Sequence, residues 1–149
     1  MLEYYNRVIS IDTDKAWSSS QWIVEKEEGS DINLGTRTLA QAFTKKGKTF
    51  YKLNGMKWLT NATDSELAIT LARIVDPVTN KAQDNLTAFL VKVHKKKFNE
   101  KTLKDTIEIV RLKDKLGTKA LPTAELLLKG TKSIMLSLPG KGIQLLSDL

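Results

Sequence analysis

Few side chains in this 149-residue sequence could carry out chemistry unaided. There is no cysteine, which removes disulfides, thiolate metal sites and a cysteine nucleophile together. The single histidine, His94, is followed by Lys95, Lys96 and Lys97, whose charges disfavour a bound cation, so no metal site is expected. With one histidine in a basic stretch and no G-x-S-x-G motif, the serines do not read as part of a hydrolase triad. Pro139-Gly140-Lys141-Gly142 is the nearest approach to a glycine-rich phosphate loop, and it lacks G-x-G-x-x-G or Walker spacing. The formal charge of +7 is unevenly placed: residues 1–90 hold 11 basic and 11 acidic side chains, residues 91–149 hold 13 and 6. Lys92 to Lys119 alone carries ten basic and four acidic residues. Such a stretch could draw phosphate-bearing partners, nucleic acid or a coenzyme. It reads instead as a solvated edge and loop whose lysines discourage strand pairing. Stacking platforms interleave several aromatics with the lysines, and only Phe98 lies in this stretch, so nucleic acid is not an expected partner.

Three segments carry more specific information. They are Val24-Glu25-Lys26-Glu27-Glu28-Gly29-Ser30-Asp31, then Asn54-Gly55-Met56-Lys57-Trp58-Leu59-Thr60-Asn61-Ala62, then residues 111–126, which include Leu116-Gly117-Thr118-Lys119 and Thr123-Ala124-Glu125. In that order and spacing the sequence resembles the middle domain of the acyl-CoA dehydrogenases, whose pattern runs T-E-x-x-x-G-S-D, G-x-K-x-x-[IT]-[TS] and L-G-x-R-x-x-x-T-A-E. Arg7 to Asp14 and the string Lys113-Asp114-Lys115-Leu116-Gly117 are most similar to the alkylation-response branch. The resemblance covers residues 21–149 firmly and 1–20 loosely.

The resemblance implies a flavin-facing domain, with FAD as cofactor and an acyl-CoA thioester as substrate of a longer polypeptide. The implied cofactor contacts are Val24, Gly29, Ser30, Trp58, Leu59, Thr60 and Asn61. A flavin diphosphate suits a small residue, a hydroxyl and free backbone N–H groups at a tight turn, which Gly29-Ser30 offers just after a strand. A flavin ring suits a flat apolar or aromatic face with polar groups at its edge. Trp58, Leu59, Thr60 and Asn61 offer both; a strand tryptophan taken alone is more often core, and it is the company of Gly29-Ser30 that favours the ring. The departures concern the same places. Val24 stands where the family usually has a threonine whose hydroxyl bonds the ring; Glu28 puts a carboxylate near the diphosphate; Lys119 replaces the usual arginine. Ungapped alignment on Gly55-x-Lys57 puts Leu59 at the family's aromatic position and Asn61 at its Thr/Ser position. A one-residue deletion would put Trp58 and Thr60 there, and the ungapped version is preferred. None of the 17 carboxylates is read as the catalytic base, which the resemblance assigns to a following helical domain. The isolated chain is therefore expected to be inactive, and, presenting half of the implied pocket, to retain no FAD. The resemblance implies a homodimer or homotetramer for the longer polypeptide; the expected location is intracellular, with mitochondrial and cytoplasmic compartments both left open. The remaining alternative is a non-catalytic module, either a degenerate flavin domain or a basic barrel for nucleic acid.

The elements that must position these residues read as strands. Apolar residues make up 41% and charged residues 28%, ordinary for a globular domain, and no apolar run approaches the ~20 residues that span a bilayer. The first five residues match neither a signal nor a transit peptide. Strand-like runs are Gln21–Glu25, Thr36–Phe43, Thr49–Leu53, Met56–Thr60, Leu67–Val75, Leu86–His94, Ile107–Lys113, Glu125–Leu128 and Ser133–Leu138. Leu67–Val75 could be a helix, but its length and the following Asp76-Pro77 favour a strand. Asn54-Gly55 predicts a type I′ hairpin carrying Trp58, and Lys129-Gly130 predicts another turn. The expectation is an all-β fold: a six- to eight-stranded antiparallel barrel or sandwich over 21–138, with little helix. Residues 1–20 read as an irregular lead-in, and 139–149 as the start of a helical domain, which makes the sequence read as a fragment.

Overall fold

Short alternating runs closed by turn residues give strands, and in the computed structural model, which describes residues 2–27, 31–93 and 106–147, they dominate. In chain order the elements are α1 (Leu2–Val8), β1 (Ser19–Trp22), α2 (Ile32–Gly35), β2 (Leu39–Lys45), β3 (Lys48–Asn61), β4 (Leu67–Val75), β5 (Thr87–Lys92), β6 (Ile107–Leu112), β7 (Thr123–Met135) and α3 (Gly142–Ser147). All seven strands belong to one sheet whose pairings run β1-β4-β2-β3-β7-β5, with β6 on β7. An additional β4–β5 pairing closes the path on itself. The all-β expectation holds, with two amendments. The sheet is mixed, because β1 and β2 both lie parallel to β4. The lead-in is not wholly irregular, because its start is the helix α1. His94, Lys95–Lys97, Phe98, Lys101 and Lys104 lie outside the described residues, so the basic stretch is described only at its ends.

Both glycine-marked turns prove to be something else. The β2–β3 hairpin turns at Lys46-Gly47, with φ of 52° and 71° and Lys45 facing Lys48, the two-residue pattern of a type I′ turn. β3 then runs 14 residues straight through Asn54-Gly55. Likewise β7 runs 13 residues through Lys129-Gly130. The two dipeptides face each other. The β3–β7 register slips between Leu53 and Asn54, opposite Gly130 at φ 70°, and the Asn54 Oδ1 accepts the Gly130 N–H at 2.7 Å. They form the two sides of one bulge in a long antiparallel pair. Gly55 has its own reason: a Cβ there would sit 2.3 Å from the Thr38 Oγ1 and 2.7 Å from the Thr38 Cα. In strands, glycine marks bulges and close approaches as well as turns.

The real turn makes a small test of the assignment. Lys46 holds a left-handed conformation that asparagine adopts more readily, so Lys46→Asn should raise stability by about 0.5 kcal/mol. A lowered thermal midpoint would contradict the type I′ assignment.

The main core lies inside the closed path. Trp22, Leu53, Phe89, Val91, Leu126 and Leu128 fill it, with Ala40, Ala68, Ala72 and Ala124 leaving room for the larger rings. Trp22 satisfies its indole N–H on the Asn61 carbonyl at 3.2 Å, tying β1 to the last residue of β3.

Candidate functional site

Beyond β1 the chain leaves β4 and crosses to β3, where the Trp58 N–H donates to the Val24 carbonyl at 2.9 Å. That crossing buries Glu25, whose carboxylate would cost several kcal/mol unpaired in the interior. Four donors surround it. Lys57 Nζ lies 2.6 Å from Oε1, the Thr38 hydroxyl and N–H bond the same oxygen at 2.5 and 3.2 Å, and the Arg37 N–H bonds Oε2 at 2.7 Å. Lys57 is fully buried and gives a further hydrogen bond to the Leu71 carbonyl at 3.0 Å. Glu25 follows Val24 and Lys57 precedes Trp58, so one buried ion pair fixes the two segments against each other.

The outer face of this junction holds most of the predicted contacts. Val24 and Leu59 are 38% and 47% exposed, large apolar side chains open to whatever covers this end of the domain. Trp58, next to Leu59 in sequence and bonded through its N–H to the Val24 carbonyl, is half-buried. Its ring carries Lys113 Nζ at 3.3 Å from the centroid and Lys26 Nζ at 5.1 Å, both within cation–π range. Lys113 is held there by the mostly buried Glu125 at 2.5 Å. Asn61 is exposed, and its Oδ1 accepts the Thr123 hydroxyl at 2.6 Å.

Thr60 is not on that face. The β3–β7 register slips again between Lys57 and Thr60, so both point inward while Trp58 and Leu59 lie between them. The Thr60 hydroxyl, fully buried, donates to the Ala124 carbonyl at 2.5 Å. Gly29, Ser30 and Glu28 lie outside the described residues, but both flanks are placed. The Asp31 carboxylate accepts the N–H groups of Asn33 and Leu34 and so caps α2, and Glu27 lies 3.7 Å from the Arg37 guanidinium.

Four residues that position the site carry no role in the sequence reading. Glu25 and Lys57 stand inside the quoted motifs, and a charge at an inward strand position is a signal that a counter-charge must be near. Arg73 clamps the α2 loop to the β4–β5 connection, its Nε donating to the Thr36 carbonyl at 2.9 Å and its two terminal nitrogens reaching the carbonyls of Asn33, Gln83 and Asp84. Lys115 organises the β6–β7 loop on the carbonyls of Thr118 and Leu121 and the hydroxyl of Thr123. Its position two residues before Gly117 in the third motif is the only sequence hint.

Comparison with known proteins bears on what this junction serves. Residues 20–131 match the family model of the acyl-CoA dehydrogenase middle domain. Acyl-CoA dehydrogenase family member 11 of Caenorhabditis elegans is 42% identical over 149 residues, covering 99% of this chain and 23% of that protein. The crystal structure of Caenorhabditis elegans ACDH-11 in complex with C11-CoA superposes with a TM-score of 0.87 at 41% identity, covering 99% of this chain and 24% of that one. An acyl-CoA dehydrogenase from Bacillus anthracis complexed with FAD shares the fold, with a TM-score of 0.63 at 24% identity over 87% of this chain and 19% of that one. The chain thus spans about a quarter of the length of these relatives. On the match over 20–131, the chain belongs to the acyl-CoA dehydrogenase family, as its middle domain.

Proposed function

We propose that this domain forms the flavin-facing wall of a longer acyl-CoA dehydrogenase polypeptide that removes the α and β hydrogens of an acyl-CoA thioester. The observation that carries the reading is the junction itself: exposed Val24 and Leu59 held in fixed relation by the buried Glu25–Lys57 pair. Exposed apolar side chains of this kind, with the polar Asn61 two residues on from Leu59, suit one side of an isoalloxazine ring. FAD, when bound, supplies the hydride acceptor. Val24 and Leu59 would exclude water from the ring, and the backbone around Trp58 would orient it. Trp58 itself already holds a lysine over its ring, so Leu59 is the better candidate for the apolar contact, as the ungapped alignment has it. Neither buried carboxylate suits the catalytic base, since Glu25 and Glu125 are each ion-paired to a lysine. The base and the other wall of the pocket belong to the rest of the polypeptide. The acyl-CoA substrate is supported by the C11-CoA complex of the relative.

A valine at position 24 supplies no hydroxyl. In the full-length polypeptide, Val24→Thr should therefore tighten FAD binding by about fivefold, the equivalent of one added hydrogen bond of ~1 kcal/mol. Fluorescence titration of the apoprotein with FAD measures it, and an unchanged dissociation constant would detach Val24 from the ring. Two observations favour a second reading, a non-catalytic module of the same fold: Val24 has no donor, and the Thr60 hydroxyl is turned inward. A full-length polypeptide that neither purifies with flavin nor takes it up would select that module.

A further inference from the structure

At the other end of β3, away from this junction, the outer face of the sheet gathers positive charge. Residues 41–56 contain four lysines, Lys45, Lys46, Lys48 and Lys52, and no acidic residue. Strand pairing sets Lys45 directly opposite Lys48 and Lys52 directly opposite Lys132. Like charges facing across a strand pair oppose folding. Phe43 and Phe50 face each other in the same hairpin, their ring centroids 5.8 Å apart, and each carries a lysine: Lys52 at 5.5 Å from Phe43, Lys132 at 3.6 Å from Phe50. On β5, Lys92 lies over the Trp17 ring at 4.7 Å.

Four of these side chains, Lys45, Phe50, Lys92 and Lys132, line a cleft of about 380 Å³. Phe50, Leu90 and Ile134 give it apolar walls, Tyr4 of α1 lines it from the lead-in, and Lys45, Lys92 and Lys132 bring three ammonium groups. The volume is that of a small-ligand site, and the composition is an apolar surface with a few convergent charges. Lysine is a point charge suited to phosphate, and aromatic side chains suit a ring. We infer that this cleft binds an organic phosphate of the nucleotide class, at a site separate from the Val24–Leu59 junction. The proposal goes beyond the flavin reading and does not rest on it.

The test titrates the isotope-labelled chain with ADP and follows backbone amide shifts. Shifts should concentrate at Phe50, Lys92, Lys132 and Ile134. The triple variant Lys45→Gln, Lys92→Gln, Lys132→Gln should weaken ADP by about tenfold or more, with an unchanged amide spectrum elsewhere. Adenosine and pyrophosphate, each lacking one half of the chemistry, should bind at least about tenfold more weakly than ADP. Three results would overturn the proposal: no shift with ADP, shifts centred on Val24, Trp58 and Leu59, or pyrophosphate binding as well as ADP. The second of these would leave the flavin reading standing while removing this one, so the two fail independently.

Discussion

Replacing Lys57 by methionine should destabilise the domain by about 3–5 kcal/mol, because it leaves the Glu25 carboxylate buried without its counter-charge. Methionine keeps the stem's volume, so the loss reports the charge rather than a cavity. The neutral pair, Lys57→Met with Glu25→Gln, should recover more than half of it. The glutamine carbonyl, placed where Oε2 lies, can still accept the Arg37 N–H, and its amide NH2 can donate to the Thr38 hydroxyl. Urea unfolding of the three variants measures both effects. A single-variant cost under about 1 kcal/mol, or a double variant worse than the single, would show that the pair does not fasten the two segments.

Gly55→Ala has the second largest expected effect, about 3 kcal/mol, at the upper end for overpacking. The added methyl would meet the Thr38 Oγ1 at 2.3 Å and, more stubbornly, the Thr38 Cα at 2.7 Å. A side chain could rotate away; the backbone that carries the Glu25 hydrogen bonds cannot do so without releasing them. Thr38→Ala on the same background should restore only part of the loss, since the backbone at position 38 still blocks the methyl. Gly47→Ala is the control: nothing lies within 4 Å of its added Cβ, and its φ of 71° sets a cost of about 1 kcal/mol. If Gly55→Ala melts with the parent chain, the close approach of Thr38 to β3 is misplaced.

Legibility in the sequence tracked how local each feature is. Leu67–Val75 is readable because an apolar nine-residue run ended by Asp76-Pro77 leaves little choice, and the strand has those bounds. The motifs that marked the family are readable because they stay in order along the chain. Asn54-Gly55 misleads for a physical reason. Asparagine and glycine tolerate positive φ, and the local signal cannot tell a turn from a bulge whose partner, Gly130, lies 76 residues away. The inward Thr60 is illegible for the same reason. Strict alternation would put Thr60 on the face of Trp58, and the register slip after Lys57 reverses it. The Glu25–Lys57 bond joins residues 32 apart, so their letters are visible in the motifs while their pairing is not. The basic cleft belongs to the same class. Its lysines come from β2, β5 and β7, and only Lys92, at the very start of the Lys92–Lys119 stretch, belongs to the most basic segment of the sequence.

The most direct measurement of the central claim is the FAD affinity of the full-length polypeptide carrying Leu59→Asp. Leu59 is about half exposed, so a carboxylate there spares the core and leaves the Glu25–Lys57 pair intact. Thermal melting of the isolated domain should shift little and confirm that the fold survives. If Val24 and Leu59 form the wall for the flavin ring, a charge on that wall must lose its hydration when the cofactor covers it. FAD affinity should then fall by about tenfold or more. Unaltered FAD affinity in a folded Leu59→Asp protein would contradict the assignment of this junction to the flavin.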